Sequence, residues 1–231
     1  MVAGACESFM HPVAIAGFWR IQALSTRNGD PAGSSRPFDL ERDGTVMSEG
    51  AACFVLESER HALERGATIL GEIIGFGQSL DAYHLIAPDG TGSGAARAMR
   101  LALREAHLEP TEIDWVVAHG TATPLNDLSE VRAMKLALGE AAYDIPITGL
   151  KSMTGHMLGA SGAVNVLAAV EAMRVGMIAP TINLHTPDPE LDLDFVPLTA
   201  RHKDVNVVMT NAFGFGGQNG SLVVRTYSAI A

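Results

Sequence analysis

The sequence has little basic charge and few cysteines, and each shortage excludes a class of protein. Its 231 residues include 16 Lys and Arg against 26 Asp and Glu, which gives a formal net charge of −10 at pH 7. No basic face is expected that would neutralise a phosphate backbone, so we expect no nucleic acid partner. The two cysteines, Cys6 and Cys53, lie in no CxxC or His/Cys cluster with metal spacing. We therefore expect reduced thiols and no metal site.

Long apolar runs are also missing. Apolar residues make up 47% of the chain but occur in short runs broken by Gly, Pro or charge, and none reaches the ~18 uninterrupted residues of a membrane span. The N-terminus shows no basic region followed by an apolar core, which is the pattern of a secretory signal. We expect a soluble, cytoplasmic protein that does not enter a membrane.

The pattern of predicted elements divides the chain near Gly66. Residues 1–5 resemble the end of a strand with nothing before it to pair with, residues 31–43 are polar and turn-rich, and residues 51–57 form an apolar strand. A short helix over residues 58–65 ends at Gly66, a usual helix stop. We predict two units, residues 1–66 and residues 67–231, of which the first is poor in helix.

The second unit alternates strands with helices. Strands are predicted at residues 69–76, 115–118 and 147–150, and helices at residues 92–107, from Asn126 or Asp127 to Gly139, and at residues 163–175. Residues 151–162 are a Gly-rich connection, and residues 205–210 and 221–226 flank a glycine cluster as a closing hairpin. This order indicates an α/β protein with a mixed sheet and helices on its faces.

Two histidines share a context that suggests chemistry. His119 follows a buried strand and opens the segment HGTATP, and His156 follows the next strand inside KSMTGHMLG. Both lie at the carboxyl end of a strand, where α/β sheets place ligands. A single histidine there is more often structural, but two in parallel contexts favour a site in which imidazoles stabilise an oxyanion or move a proton.

A glycine cluster over residues 211–220 (NAFGFGGQNG) is the third candidate. The nucleotide-binding pattern requires a strand, G-x-G-x-x-G and then a helix, whereas here a strand follows the glycines. Two interpretations stay open from the residues alone: a turn whose backbone amides approach a ligand, or a plain hairpin turn.

These three motifs, in this order, resemble the C-terminal signature of β-ketoacyl-[acyl carrier protein] synthases, and the likeness is closest to the chain-elongating type II branch. Residues 23–28, 36–39, 42–44 and 180–184 extend the resemblance over essentially the whole chain. The resemblance implies a thiolase-like fold: its C-terminal half, a mixed five-stranded sheet with helices on its faces, plus a remnant of the N-terminal half. The motifs differ from those of initiating synthases and of degradative thiolases.

The resemblance also implies a reaction, the decarboxylative Claisen condensation of malonyl-carrier protein with an acyl-enzyme in fatty acid chain elongation. In the family the nucleophilic cysteine lies upstream of the residue at which this chain starts, and neither Cys6 nor Cys53 matches it. The implied partners are acyl carrier protein and either a completing N-terminal half or a second copy in a homodimer. No cofactor is implied beyond the phosphopantetheine that the carrier protein brings, and Arg20, Arg27 and Arg36 are candidates for local carrier-protein contacts.

Roles follow from the resemblance residue by residue. His119 and His156 would hydrogen-bond the malonyl thioester carbonyl, and Lys151 would orient the His156 loop. The backbone N–H of Phe215 would help to hold the tetrahedral oxyanion, and its ring would gate the acyl tunnel. The remaining expected substrate contacts are Thr121, Thr123, Gly214, Gly216 and Gly217.

Four further positions bear on the expected site. Asn165 and Ala212 stand where many relatives have Glu and Ser, which predicts a less well paired Lys151 and a weaker structural cation site. Asp127 and Glu130 match acidic positions of the family, and we expect them to form structural ion pairs.

Three alternatives to an enzyme of fatty acid elongation remain. A non-catalytic partner of the chain-length type usually loses its active residues, and the retained His119, Lys151 and His156 argue against it. A fragment of a polyketide-type ketosynthase is the second. The third is a truncated chain without a stable fold, which would expose the face that the first half normally covers.

Overall fold

The computed structural model describes residues 1–228. Its strands are β1 (Val2–Glu7), β2 (Gly50–Val55), β3 (Glu72–Leu80), β4 (Trp115–Val117), β5 (Ile147–Thr148), β6 (Met177–Ile178), β7 (Arg201–His202), β8 (Val207–Gly214) and β9 (Gln218–Arg225). Its α-helices are α1 (Pro12–Arg20), α2 (Glu59–Glu64), α3 (Ser93–Ala106), α4 (Pro124–Leu138), α5 (Lys151–Thr154) and α6 (Ser161–Val175).

Five strands form the central sheet in the order β3-β9-β8-β4-β5. β4 pairs in parallel with both β5 and β8, whereas β9 is antiparallel to β8 and to β3. One sheet face packs against α3 and α4 in a core that includes Met99 and Met134, and the other packs against α6 through Ala169 and Ala172. The predicted mixed five-stranded sheet with helices on its faces is confirmed.

The closing hairpin is longer than the sequence pattern predicted. β8 and β9 pair from Val207 with Arg225 to Gly214 with Gln218, so that only residues 215–217 form the turn. Gly220 pairs with Ala212 inside the ladder, because glycine is tolerated in a strand although it weakens one. Similarly, α4 starts at Pro124 with Thr123 as its N-cap rather than Asn126 or Asp127, since proline suits the first helical position.

The first unit differs from expectation in one element. β1 finds its partner later in the chain, because it pairs antiparallel with β2 from Val2 with Val55 to Glu7 with Gly50. The segment also contains a helix that the pattern missed: α1 begins at Pro12 behind His11, whose ring accepts the Val13 N–H. No residue of α1 is buried, so this helix lies on the surface of the first unit and contributes no residue to the core.

Apolar surface concentrates on this first unit. The outward face of the β1–β2 pair presents Val2, Cys6, Cys53 and Val55, and Trp19 of α1 is 56% exposed. An apolar face of this kind usually marks an interaction surface.

One helical run, Leu158–Val175, is long and apolar enough by length and composition to cross a membrane. Core helices of soluble proteins pass the same test, and α6 within this run packs on the central sheet. The expectation of a chain outside the membrane stays a prediction.

Two glycines of β3 allow α3 to lie close against the sheet. A Cβ at Gly75 would lie 2.2 Å from the Ala102 carbonyl oxygen, and one at Gly77 would lie 1.8 Å from the Ala98 carbonyl oxygen. Both obstacles are helix backbone, which cannot rotate away as a side chain can. The contact between α3 and β3 therefore requires glycine at these positions.

We predict that Gly77→Ala destabilises the chain by about 3 kcal/mol, because overpacking against fixed backbone forces the helix and strand apart. The midpoint of urea unfolding measures this. The matched control is Gly17→Ala, which replaces a helical glycine with no atom within 4 Å of an added Cβ and should stabilise by up to about 1 kcal/mol. Equal midpoints for the two variants would contradict the close packing of α3 on β3.

Candidate active site

Two histidines face one another in a cleft at the carboxyl ends of β4 and β5. The ring centroids of His119 and His156 are 5.4 Å apart, and the rings are nearly perpendicular at 82°. Both line an open cleft of about 1100 Å³. The parallel pairing of β4 with β5 brings the two strand ends together, which is the location expected for a ligand site in such a sheet.

Two buried charged side chains hold the His119 loop from behind. The Glu130 carboxylate accepts the backbone N–H groups of His119 at 2.7 Å and of Gly120 at 2.8 Å. The Lys151 ammonium donates to the His119 carbonyl and lies 3.5 Å from His119 Nδ1. Both side chains are almost completely buried, so the loop that carries His119 is fixed through its backbone as well as its ring.

The His156 loop is fixed by the first unit. The His156 N–H donates to the Val46 carbonyl at 2.6 Å, and the Ser48 N–H donates to the His156 carbonyl at 3.0 Å. In the ring, Nδ1 accepts the Leu158 N–H at 3.1 Å and lies 3.2 Å from Ser161 Oγ. The position of His156 thus depends on backbone from before Gly66.

These partners assign the same tautomer to both rings. At His156, Nδ1 accepts a backbone N–H, and at His119, Nδ1 faces an ammonium that has no acceptor. A neutral imidazole whose Nδ1 accepts carries its proton on Nε2. Both histidines therefore offer Nε2–H donors.

Burial keeps both rings neutral. Desolvation, with the positive charge of Lys151 and the neighbouring His156, holds the pKa of His119 well below its usual range. Desolvation and Lys151 lower the pKa of His156 to about 3. Desolvation also lowers the pKa of Lys151 to about 8 and raises that of Glu130 to about 7, although each opposes the other's shift. Near neutral pH the site contains two uncharged donors.

The two predicted threonines lie at the start of α4 beside His119. Thr121 Oγ1 and Thr123 Oγ1 are 2.8 Å apart, and Thr123 Oγ1 accepts the Asn126 N–H as the helix cap. Both threonines line the cleft. They are therefore placed to contact a ligand that reaches the histidines.

The glycine turn contributes to the cleft in part. Gly214 and Phe215 line it, and the Phe215 ring is half exposed against Phe18 with centroids 5.8 Å apart. Gly216 and Gly217 are outside the set of lining residues. Both have positive φ, +84° and +77°, so they shape the turn as glycine allows.

The turn is also bound to the loop that follows β3. The Gly216 N–H donates to the Leu85 carbonyl at 2.7 Å, and the Asp81 N–H donates to the Gly217 carbonyl at 2.8 Å. Asn219 Nδ2 joins them by donating to Asp81 Oδ1 at 2.7 Å. The turn and residues 81–89 therefore form one wall of the cleft.

The two departures from the family pattern lie in the same cleft. Asn165 and Ala212 both line it, and Asn165 Nδ2 donates to the Asn211 carbonyl at 3.2 Å. The described residues include no group of three or more His, Cys, Asp or Glu side chains arranged around a metal. The predictions of no metal site and of a weakened cation site are untested.

The expected ion pair is confirmed for Asp127, whereas the one expected for Glu130 is wrong. The Asp127 carboxylate lies 3.7 Å from Arg42 Nε and accepts the Phe38 N–H at 2.9 Å. Glu130 has no Lys or Arg nitrogen within 4.0 Å among residues 1–228 and instead binds backbone N–H groups. The spacing of the two residues in the sequence shows that both carboxylates lie on one side of the helix. It does not show whether each carboxylate binds a charged side chain or the backbone of a loop.

Several cleft residues were missed by sequence reasoning. Phe18 lies on the unpredicted helix α1, His84 is fixed by accepting the Ile86 and Ala87 N–H groups, and Thr45 follows a turn that resembled plain loop. No local motif separates these residues from their neighbours. Cys6 and Cys53, by contrast, are exposed on the β1–β2 pair and do not line the cleft.

Comparison with known families agrees with this fold. Residues 70–185 match the family "Beta-ketoacyl synthase, C-terminal domain" and residues 1–62 match "Beta-ketoacyl synthase, N-terminal domain". The chain belongs to the β-ketoacyl synthase family, and its fold is the predicted thiolase-like one. The boundary that we predicted near Gly66 stays a prediction.

Among curated relatives, the chain is similar to 3-oxoacyl-[acyl-carrier-protein] synthase 2 of Synechocystis sp., with 48% identity over 98% of the chain and 55% of the relative. The enzyme of the same name from Coxiella burnetii is 50% identical over 97% of the chain and 54% of the relative. The chain thus spans about half the length of the curated relatives that it matches.

Two solved structures are similar over 99% of the chain. One is a β-ketoacyl synthase from Burkholderia phymatum, with a TM-score of 0.93, 44% identity and 55% of that structure covered. The other is a type II PKS ketosynthase in complex with its acyl-carrier protein, bound to the hexaketide, with a TM-score of 0.96, 38% identity and 56% covered.

The lowered pKa of His156 predicts a specific pH dependence of stability. Because the folded pKa lies below the ordinary value of 6.5, the histidine's contribution is complete above that pH and is lost as the pH falls towards about 3. Between pH 7 and pH 4 we expect the free energy of unfolding to fall less in His156→Gln than in the unchanged chain. Urea unfolding at several pH values measures this.

The exposed His185 provides the matched control. His185→Gln should keep the full pH dependence of the unchanged chain. Parallel curves for the unchanged chain and His156→Gln would show that the His156 imidazole is not neutral in the folded state.

Proposed function

We propose that this chain supplies the histidine-bearing half of a 3-oxoacyl-[acyl carrier protein] synthase. The observation that carries the proposal is the pair of neutral histidines, His119 buried and His156 half-buried, whose Nε2–H donors share one cleft. The similarity to 3-oxoacyl-[acyl-carrier-protein] synthase 2 over nearly the whole chain supports the same reaction.

The reaction is a decarboxylative Claisen condensation. The malonyl thioester loses CO₂, and the electron pair of the broken C–C bond forms an enolate whose oxygen accepts both Nε2–H groups. Neutral donors suit this step because they stabilise developing negative charge without first transferring a proton. The enolate carbon then attacks an acyl thioester, and the thiolate of that thioester leaves.

The leaving thiolate belongs to a cysteine outside this chain. Cys6 and Cys53 are exposed and do not line the cleft, and a nucleophile needs to be positioned beside the groups that activate it. We assign the nucleophile to a completing N-terminal half, on the same polypeptide or on a partner chain.

The other cleft residues take supporting roles. Thr121 and Thr123 bind the phosphopantetheine arm, and the Phe215 backbone N–H and ring bind the oxyanion and gate the acyl group. Gly214 lets the substrate approach, whereas Gly216 and Gly217 act through the turn. Lys151 orients the two histidine loops and is a positioning residue.

Acyl carrier protein is the proposed partner, and a homodimer is the proposed assembly. A similar ketosynthase solved in complex with its acyl-carrier protein supports the first part. Of the three arginines expected to contact it, Arg36 is buried against the Gly33 carbonyl and Arg27 pairs with Glu41. Arg20 lines the cleft and is the local candidate. No cofactor beyond the carrier's phosphopantetheine is proposed, and a cytoplasmic location is proposed.

Acyl transfer tests the placement of the nucleophile. The purified chain is incubated with a long-chain acyl-carrier protein, alone and with the upstream segment of the Synechocystis sp. relative that this chain does not cover, and intact masses are measured. We expect no acyl adduct on the chain and an adduct on the upstream segment. A stoichiometric adduct on Cys6 or Cys53 would show that the chain provides its own nucleophile.

Decarboxylation tests the histidine pair in the same reconstituted sample. His119→Ala and His156→Ala should each lower the rate of CO₂ release from malonyl-carrier protein by roughly 10²-fold, since each removes one oxyanion donor. His185→Ala is the control and should leave the rate unchanged. Rates that do not respond to either cleft variant would contradict the proposed function.

A further inference from the structure

Helices α3 and α4 carry four exposed arginines on the side that faces away from the central sheet. Arg97, Arg100 and Arg104 follow one another on α3 at spacings of three and four residues, and Arg132 lies on α4. Side chains three and four residues apart are neighbours on one side of a helix. These four residues together form the arginine face.

The arginine face is not paired with carboxylates. Most other Lys and Arg side chains have an Asp or Glu oxygen within 4.0 Å, and the exceptions, Arg20, Lys151 and Lys203, are scattered along the chain. The four arginines have no such oxygen among residues 1–228. Their positive charge is therefore not neutralised, although the chain as a whole has a formal net charge of −10.

Three of the arginines donate to neutral backbone carbonyls instead. Arg97 Nη2 donates to the Leu80 carbonyl at 2.8 Å, and Arg132 Nη1 donates at 2.7 Å to a carbonyl in the loop that precedes α3. Arg100 reaches from α3 to the Leu136 carbonyl, one turn beyond Arg132 on α4. These bonds fix the guanidinium groups at the surface. Each carbonyl accepts only one of the five N–H donors of a guanidinium, so most donors stay free.

This arrangement of charge is unfavourable for the helix that carries it. Arg97 and Arg100 are three residues apart, and Arg100 and Arg104 are four apart. Like charges at these spacings repel one another and destabilise a helix. Because a bound anion would relieve that repulsion, the arrangement favours a negatively charged partner.

Apolar side chains adjoin the arginine face, and the face is separate from the histidine cleft. Leu80 and Leu136, whose carbonyls accept from the arginines, are 52% and 48% exposed. The strands β1 and β2 contact α6 on one side of the central sheet, whereas α3 and α4 pack on the other side. None of the four arginines lines the cleft. The face is therefore an amphipathic surface on the side of the sheet opposite the first unit.

We propose that the arginine face is a docking site for an acidic amphipathic helix of a partner protein. Two packed helices form a groove in which a third helix can lie. Carboxylates at positions i, i+3 and i+7 of that helix match Arg97, Arg100 and Arg104. A planar guanidinium binds a carboxylate through two parallel N–H donors, and apolar side chains of the partner would cover Leu80 and Leu136. This docking site does not depend on the chemistry of the histidines.

A compact acidic helix matches the face better than an extended polyanion does. Arg97 to Arg104 spans about 10 Å along α3 at ~1.5 Å per residue, which is short for the many phosphate contacts on which nucleic acid binding depends. The negative charge of the rest of the chain repels an extended anionic surface such as a membrane or a duplex. A short helix avoids that repulsion because it contacts the arginine face alone.

Peptide binding to the chain tests this surface. The probe is a synthetic helical peptide with glutamates at i, i+3 and i+7 and leucines beside them. The comparison peptide has the same composition, with its glutamates and leucines scrambled over all sides of the helix. In NMR titrations we expect the ordered peptide to bind about tenfold more tightly, since only it aligns carboxylates with the guanidinium groups. The amide signals of α3 and α4 should shift on binding.

Charge reversal identifies the arginines that bind. Arg97→Glu combined with Arg100→Glu should weaken binding of the ordered peptide by at least about tenfold. The control combines Arg60→Glu with Arg174→Glu, which makes the same change of net charge at exposed positions on α2 and α6, and it should leave the affinity unchanged. Urea unfolding checks that both variants fold. If the reversed variant does not fold, Arg97→Gln combined with Arg100→Gln replaces it and should also weaken binding.

The proposal is overturned if the two peptides bind equally, or if the reversed variant and its control weaken binding equally, because either result means non-specific attraction of anions. Tighter binding of phosphatidylglycerol vesicles or duplex DNA than of the ordered peptide would assign the face to another class of partner. His119→Ala separates this proposal from the proposed function. It should leave the peptide affinity unchanged, and a loss of affinity would place the peptide in the cleft and contradict docking on the arginine face.

Discussion

The structure of the site depends on two buried charged side chains, Glu130 and Lys151, that hydrogen-bond the backbone of the His119 loop. Glu130 takes the N–H groups of His119 and Gly120, and Lys151 donates to the His119 carbonyl. A buried charge is tolerated only when polar groups replace its lost water, and here the loop backbone provides much of that replacement. Each partner therefore depends on the other. The two charged side chains fix the loop, and the loop backbone lowers the free-energy cost of burying them.

The same pair sets the electrostatics of the histidines. A positive Lys151 beside His119 opposes a second positive charge on either ring, and a desolvated ring already resists protonation. The site therefore presents neutral imidazoles, as the proposed condensation requires. A histidine in open water would be partly protonated at the same pH.

The sequence allowed us to predict the helices, strands and site residues that are marked by a local pattern or a family motif. The alternation of strands and helices after Gly66, the positions of His119 and His156, and the closing hairpin were all recognisable, because each is expressed within a few neighbouring residues. What failed depended on contacts across the chain. The partner of β1 lies about fifty residues away in β2, and α1 buries none of its residues.

Site residues divide in the same way. Thr121 and Thr123 adjoin His119 and share its motif, whereas Thr45 and His84 reach the cleft only because the fold brings distant segments together. The different partners of Asp127 and Glu130 illustrate the limit. Both are acidic residues on one turn of α4, yet one faces a guanidinium and the other a loop backbone.

Residues 44–48 have a consequence for how this polypeptide can be divided. They precede the predicted boundary near Gly66 in sequence, but their hydrogen bonds hold both histidine loops that follow it, the first through Ala122 and the second through His156. A gene split or a domain exchange made between residues 62 and 70 would produce a C-terminal fragment that contains the central sheet. That fragment would lack residues 44–48, whose backbone orders both histidine loops. An exchange that preserves the site has to include residues 44–48 together with the sheet. The segment that must be exchanged is therefore longer than the unit that contains the two histidines.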